Sequence, residues 1–163
     1  MPATGIRVGW SYDAHAFGGD PPLILGGVVV SETTGVSATS DGDVLAHAVS
    51  DAVLGACVLA DMGAHFPSDD VAMAGADSMQ LLRRAAGMAG DAGWQTDHVD
   101  ATLLLEEVRL APHRDLVRAN LADSLGIDVD SVSVKATTTD GLGFIGRGEG
   151  LAAVAVVTVT ALS

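Results

Sequence analysis

Asp13 and His15 stand two residues apart in the stretch SYDAHAF, and the alternation of a strand would put both side chains on one face. A carboxylate oxygen and an imidazole nitrogen are two ligands that suit zinc, although a hydrogen-bonded strand-end pair is the commoner use of such a spacing. A third donor stands in SDGDVLAHAVSDAVLG, where Asp43, His47 and Asp51 recur every four residues and form an acidic stripe on one helix face with the histidine at its centre. A solvated helix face is the plain alternative. Against it, the neighbouring positions are apolar, and carboxylates one turn away are ready partners to fix the tautomer of a ligating histidine. Asp13, His15 and His47 together would give three ligands and an open fourth position, the mark of a catalytic rather than a structural zinc.

Two further clusters carry chemistry. In ADMGAHFPSDD the chain leaves a helix through Gly63, and Asp61 with Phe66 and Pro67 offers a polar hook beside an apolar edge, as a small polyol would need or as a plain turn would show. In KATTTDGLGFIGRGEG, Thr137, Thr138 and Thr139 offer hydroxyls and free N–H groups to an anion, and Asp140 offers a carboxylate to a hard cation such as Mg²⁺; a strand edge is the bland alternative. Arg147, between two glycines, could bind an anion or pair with Glu149. His98 and His113 are read as structural, and His65 receives no role.

The chain must position these groups within 163 residues, 48% of them hydrophobic, which suits one globular domain over 1–163 with a real core. Asp and Glu number 21 against 8 Lys and Arg, a net charge of −13, so neither a nucleic-acid groove nor an anionic membrane is an expected partner. The first residues lack a basic segment followed by an apolar one, and a cytoplasmic location is the expectation. The lone Cys57 lies in an apolar run and is expected to be buried.

Strands are expected at 6–13 and 23–30, separated by the turn cluster GGDPP. Apolar spacing predicts a helix over 43–60, with Ser40 and Asp41 as cap candidates. A second helix is expected from Asp77 towards Gly93, with Gln80 completing a capping box. A strand at 102–105, a helix opened by Pro112 and ended before Gly126, and strands at 132–136 and 151–162 complete the order. The pattern is α+β: a two-layer sandwich with one mixed sheet and helices on one face.

The segments DAHAFGG, SDGDVLAHAVSDAVLGA, DMGAHFP, GADS and KATTTDGLGFIGRGEG, in this order from Arg7 to near the C-terminus, resemble the 2-C-methyl-D-erythritol 2,4-cyclodiphosphate synthase family. The resemblance implies a homotrimer with active sites between subunits, with Asp13, His15 and His47 holding Zn²⁺ or another divalent transition metal. It implies Asp140 as a ligand of Mg²⁺ or Mn²⁺, and Thr39 and Thr138 as catalytic residues, Thr39 at a phosphate contact and Thr138 at the transition state. Ser40 then meets a phosphate, Asp61, Met62, Gly63 and Phe66 the methylerythritol, and Leu105, Arg109, Leu110, Ala111, Ala136, Thr137 and Thr138 the cytidine and phosphates. Phe144 and Arg147 resemble residues that line a cavity on the trimer axis.

Three positions depart from the family's usual pattern. Thr39 stands where a histidine is usual, Asp140 where a glutamate is usual, and the cytidine loop LEEVRLAP lacks the usual Pro-Lys pair, with Arg109 supplying charge but not the lysine's shape. Glu106 and Glu107 add negative charge to that loop. The expected substrate is the cytidine diphosphate ester of methylerythritol 2-phosphate, cyclised with loss of CMP. In a chain so poor in lysine, charge neutralisation falls to metals. The alternatives are a zinc-dependent phosphodiester or pyrophosphate hydrolase, and a non-catalytic metal-containing trimer that binds isoprenoid phosphates.

Overall fold

A computed structural model describes residues 5–163; the rest of the leading segment, in which no export signal was read, lies outside the described residues. The elements are β1 (Ile6–Ala16), β2 (Leu23–Leu25), β3 (Val28–Ser31), α1 (Val44–Ala56), α2 (Met62–His65), α3 (Ser78–Asp91), β4 (Trp94–Leu104), α4 (Arg114–Leu125), β5 (Val132–Thr137), α5 (Gly143–Gly146) and β6 (Gly150–Ala161), with short 3₁₀ turns at Val71–Met73 and Val129–Ser131. Four strands form a mixed sheet in the order β1-β6-β4-β5, antiparallel except for β4 with β5. The expected α+β class holds.

One face of that sheet carries the core. Val99, Ala101 and Leu103 of β4, Ala153, Ala155 and Val157 of β6, and Val132 and Val134 of β5 are buried on it under α1, α3 and α4. Helix α1 is buried on nearly all sides, because it lies between the sheet and α3 and touches β2 as well. Its approach to β1 depends on Gly9: a Cβ there would sit 1.8 Å from the carbonyl oxygen of Ala52. Only a residue without a side chain lets the helix lie this close, and that closeness brings His47 to the C-terminal half of β1.

Several boundaries differ from the sequence expectation for identifiable reasons. The segment 23–30 is two strands, not one: Gly26 and Gly27 both take positive φ (56° and 71°) and turn β2 back on β3 in a separate two-stranded sheet. Strand β1 runs on to Ala16, so Asp13 and His15 lie inside the sheet, paired with Ala153 and Leu151. Helix α1 stops at Ala56 rather than Ala60, and its N-cap is Asp43, not Ser40 or Asp41. Asp77 caps α3 as expected, through Met79 N and Gln80 N. The third helix begins at Arg114, two residues after Pro112, and ends at Gly126 in the left-handed conformation. Strand β4 begins eight residues before the expected Thr102, and a bulge between Thr96 and His98 shifts its alternation and hides its first half from a period-two reading.

Candidate active site

Asp13 and His15 project from β1 towards α1, and His47, on the first turn of α1, meets them. Asp13 Oδ2 lies 3.3 Å from His15 Nε2 and 3.2 Å from His47 Nδ1, and the two nitrogens are 3.3 Å apart. The three donors therefore form a nearly equilateral triangle. A tetrahedral ion with bonds of about 2.0–2.1 Å holds its ligands about 3.3–3.4 Å apart, so the triangle has the edge such an ion requires. Among the described residues this is the one group of three or more His, Cys, Asp or Glu that could hold a metal.

The electrostatics fit the same use. Burial works against the charge of Asp13, but hydrogen bonds and attraction from His15 and His47 outweigh it and hold its carboxyl well below the usual range. Burial likewise opposes charge on His47, yet Asp13, with Asp43 and Asp41 behind it, raises its pKa in the metal-free protein.

The expected acidic stripe is corrected. Asp43 is fully buried and faces away from the histidine: its Oδ1 accepts from Gly26 N and Ala46 N, both at 3.0 Å, and its Oδ2 from Gly27 N at 2.8 Å. It ties the β2–β3 turn to the start of α1, and burial pushes its pKa up against those three N–H groups. Asp51 accepts from Met62 N at 2.7 Å. The partners of His47 Nε2 are instead two hydroxyls, Ser78 Oγ at 2.8 Å and Ser40 Oγ at 3.1 Å. Sequence reasoning missed Ser78; the segment GADS was in view, but nothing local linked its serine to a helix 31 residues earlier.

A cavity of about 300 Å³ opens on the triangle. Thr39 and Ser40 line it beside the ligands, and Met62, Gly63 and Phe66 line its apolar side. Asp61 caps α2 through Ala64 N at 2.9 Å, and Arg84 lies over the Phe66 ring, 4.7 Å from its centroid. His65, left without a role, closes this loop on Leu59 O at 2.6 Å, next to Val58 and Ala60 in strained positive-φ backbone.

The remaining expected residues gather elsewhere. Leu105, Arg109, Leu110, Ala111, Ala136, Thr137 and Thr138 line a second groove of about 280 Å³ at the ends of β4 and β5. Thr138 Oγ1 donates to Asp140 at 3.3 Å, and Asp140 itself has φ of 52°. Glu106 keeps its negative charge and is tethered, because its carboxylate accepts from Thr139 N and Oγ1 at 2.8 and 3.0 Å and ties the two loops together. Arg147 pairs with Glu149 at 2.8 Å, and Glu149 N donates to Phe144 O at 2.9 Å just before the chain enters β6. His98 lies in β4, His113 begins α4, and Cys57 is buried.

The YgbB family pattern matches residues 6–160. The chain belongs to the YgbB family. Curated relatives named 2-C-methyl-D-erythritol 2,4-cyclodiphosphate synthase include one from Shewanella piezotolerans, 48% identical over 95% of this chain and 98% of its own, and one from Salinibacter ruber, 51% identical over 94% and 98%. Among solved structures, the bifunctional IspDF of Campylobacter jejuni superposes with a TM-score of 0.96 at 38% identity, covering 99% of this chain and 44% of the larger protein. The Plasmodium falciparum IspF complex with CDP superposes with a TM-score of 0.85 at 28% identity over 99% of both chains. As a YgbB family member the chain resembles whole synthases end to end, with the donor triangle inside the matched region. Among the described residues no helix is long and apolar enough to cross a membrane.

Proposed function

We propose that this chain is a phosphorus–oxygen lyase of the non-mevalonate route to isoprenoids. It converts 4-diphosphocytidyl-2-C-methyl-D-erythritol 2-phosphate to 2-C-methyl-D-erythritol 2,4-cyclodiphosphate and CMP. The observation that carries the reading is the Asp13–His15–His47 triangle, opening on a cavity with hydroxyls on one side and an apolar wall on the other, in a chain half identical to synthases of that name. An oxygen of the 2-phosphate bonds to the β-phosphorus, the bond from that phosphorus to the bridging oxygen breaks, and CMP leaves with the electron pair. The nucleophile is already ionised near neutral pH, so no side chain must act as its base.

Bound zinc, or another divalent transition metal at the triangle, with Mg²⁺ or Mn²⁺ at Asp140, supplies neutralisation of the diphosphate charge. The chain's own groups supply alignment. Ser40 and Thr39 present hydroxyls at the triangle, Thr138 presents one beside Asp140, and Asp61, Met62, Gly63 and Phe66 seat the methylerythritol. Leu105, Arg109, Leu110, Ala111, Ala136 and Thr137 seat the cytidine. Trapping both reacting groups in one pocket replaces an encounter in solution with a positioned approach.

The assembly we propose is a homotrimer with the site shared between subunits. Asp13, Ala153, Leu103 and Ala136 lie in one row across the sheet, with Asp13 and Ala136 on its opposite edge strands. Three strand spacings of about 4.8 Å put the metal edge and the nucleotide edge roughly 14 Å apart in one chain. A neighbour's nucleotide edge can close on the metal edge instead. The outer face of β1 supports such an association, because Ile6, Val8, Trp10 and Tyr12 are 68, 65, 64 and 46% exposed along a single stripe. In that trimer Phe144 and Arg147 line the axial cavity, and residues 1–163 act as one catalytic domain.

Phosphorus NMR of the protein with the cytidine substrate, Zn²⁺ and Mg²⁺ tests the reading. A cyclic diphosphate with CMP is the expected product; linear phosphates would make the protein a hydrolase, and unchanged substrate would leave a binding protein.

A further inference from the structure

His47 can act as a metal ligand through Nδ1 only if that nitrogen is free of a proton, so the ring must carry its hydrogen on Nε2. Two hydroxyls face Nε2 and one competing acceptor, Asp13 Oδ2 at 3.2 Å, faces Nδ1; the shorter contact, from Nε2 to Ser78 Oγ, settles where the proton goes. Ser78, fully buried at the first residue of α3, places Oγ 2.8 Å from Nε2, and the same Oγ donates to Asp41 Oδ1 in a short hydrogen bond. Asp41 is held in that orientation by backbone donors on both oxygens, Asp43 N on Oδ1 at 3.2 Å and Ser78 N on Oδ2 at 3.0 Å. A carboxylate only accepts, so the single hydroxyl proton of Ser78 is committed to Asp41. The lone pairs left on Oγ can then only accept, and the group they face is His47 Nε2.

We propose that Asp41 and Ser78 are positioning residues that fix His47 as the Nε2–H tautomer, through an aspartate–serine–histidine relay, and so aim a bare Nδ1 at Asp13 and His15. Neither residue touches the reacting atoms; they act through the ring. The relay also joins two elements distant in sequence, since Asp41 precedes α1 and Ser78 opens α3. Ser40 Oγ, which accepts from Gly42 N at 3.2 Å and lies 3.1 Å from Nε2, is a second and longer acceptor for the same ring proton.

The inference deepens the metal reading and rests on it, but its first test needs no metal. Long-range proton–nitrogen NMR on the full chain stripped of metal, at a pH where His47 is neutral, should show the proton on Nε2. A proton on Nδ1 overturns the proposal. Ser78→Ala keeps the backbone N–H that Asp41 caps, so α3 retains its start while the ring loses its acceptor. The variant should show a mixed tautomer signal and bind zinc about 10- to 100-fold more weakly in competition with a chelator. Unchanged tautomer and unchanged zinc affinity in Ser78→Ala would also overturn it. Wild-type protein that holds the proton on Nε2 yet takes up no zinc would sink the metal reading while upholding the tautomer assignment.

Discussion

Removing the Asp43 carboxylate tests how the structure holds His47 in place. Asp43→Ala strips the acceptors from Gly26 N, Gly27 N and Ala46 N at a site with no solvent exposure. An unpaired buried donor costs about 1–3 kcal/mol, so three of them should cost roughly 3–9 kcal/mol. For a domain of this size each kcal/mol moves the melting temperature by about 2–4 °C, which predicts a fall of roughly 6–36 °C. Asp43→Asn is the graded comparison. Its amide oxygen can keep the Gly26 and Ala46 bonds, while its NH₂ meets the Gly27 N–H as donor against donor, for a loss of about 1–3 kcal/mol. The assay is thermal and urea unfolding of metal-free protein at one fixed concentration, so that neither zinc nor assembly shifts the midpoint between variants. Zinc affinity of the same samples should fall in the same order, because the carboxylate fixes the turn of α1 that carries His47. An alanine variant within about 1 kcal/mol of wild type, or an asparagine variant less stable than the alanine one, would refute the reasoning.

His47→Ala should lose zinc and cyclisation together while keeping its assembly in sedimentation; a variant with full zinc and activity would remove His47 from the site. In the metal-free protein His47 has a raised pKa, and the stability this contributes is fully present below the unfolded value of 6.5 and lost as pH rises through the folded one, so melts in chelator should decline from pH 6.5 upward. The depressed pKa of Asp13 works in the other direction, contributing stability above 3.8 that is lost as pH falls through the folded value, which acid titration of the same sample should reveal. Below the raised pKa of His47, zinc binding at Nδ1 should expel the second ring proton, so calorimetry in buffers of different ionisation enthalpy should show proton release there and none well above it. Trp10→Glu, at the centre of the exposed β1 stripe, should convert the assembly to smaller species in sedimentation and lower turnover with it, since a charge there would be buried against a neighbour.

The three candidate metal-site donors were readable because each rests on a local rule. Alternation put Asp13 and His15 on one face, and apolar periodicity made the segment around His47 a helix. The position of Asp43 was misread for the same reason: four-residue spacing aligned it with His47, but the residue sits at the cap, where φ and ψ are extended and the side chain turns back to the helix's first N–H groups. The 23–30 segment misled in another way, since β-branched residues on both sides of Gly26-Gly27 read as continuous strand until the two positive φ angles reverse it. The negative charge of Glu106 was legible, but its tether to Thr139 was not, because the two are 33 residues apart.

What the sequence by itself determined was the set of elements with strong period and capping, the family resemblance, and the identity of Asp13, His15 and His47 as candidate ligands. The tertiary structure alone decided that β1 and α1 touch at Gly9 closely enough to make those three donors a triangle, and that the groove at the ends of β4 and β5 lies across the sheet from it. It also decided that His47 leans on Ser78 and Asp41 rather than on its own helix. Periodicity records which face of an element is apolar, whereas distances between elements depend on packing among residues far apart along the chain, and no local pattern encodes those distances.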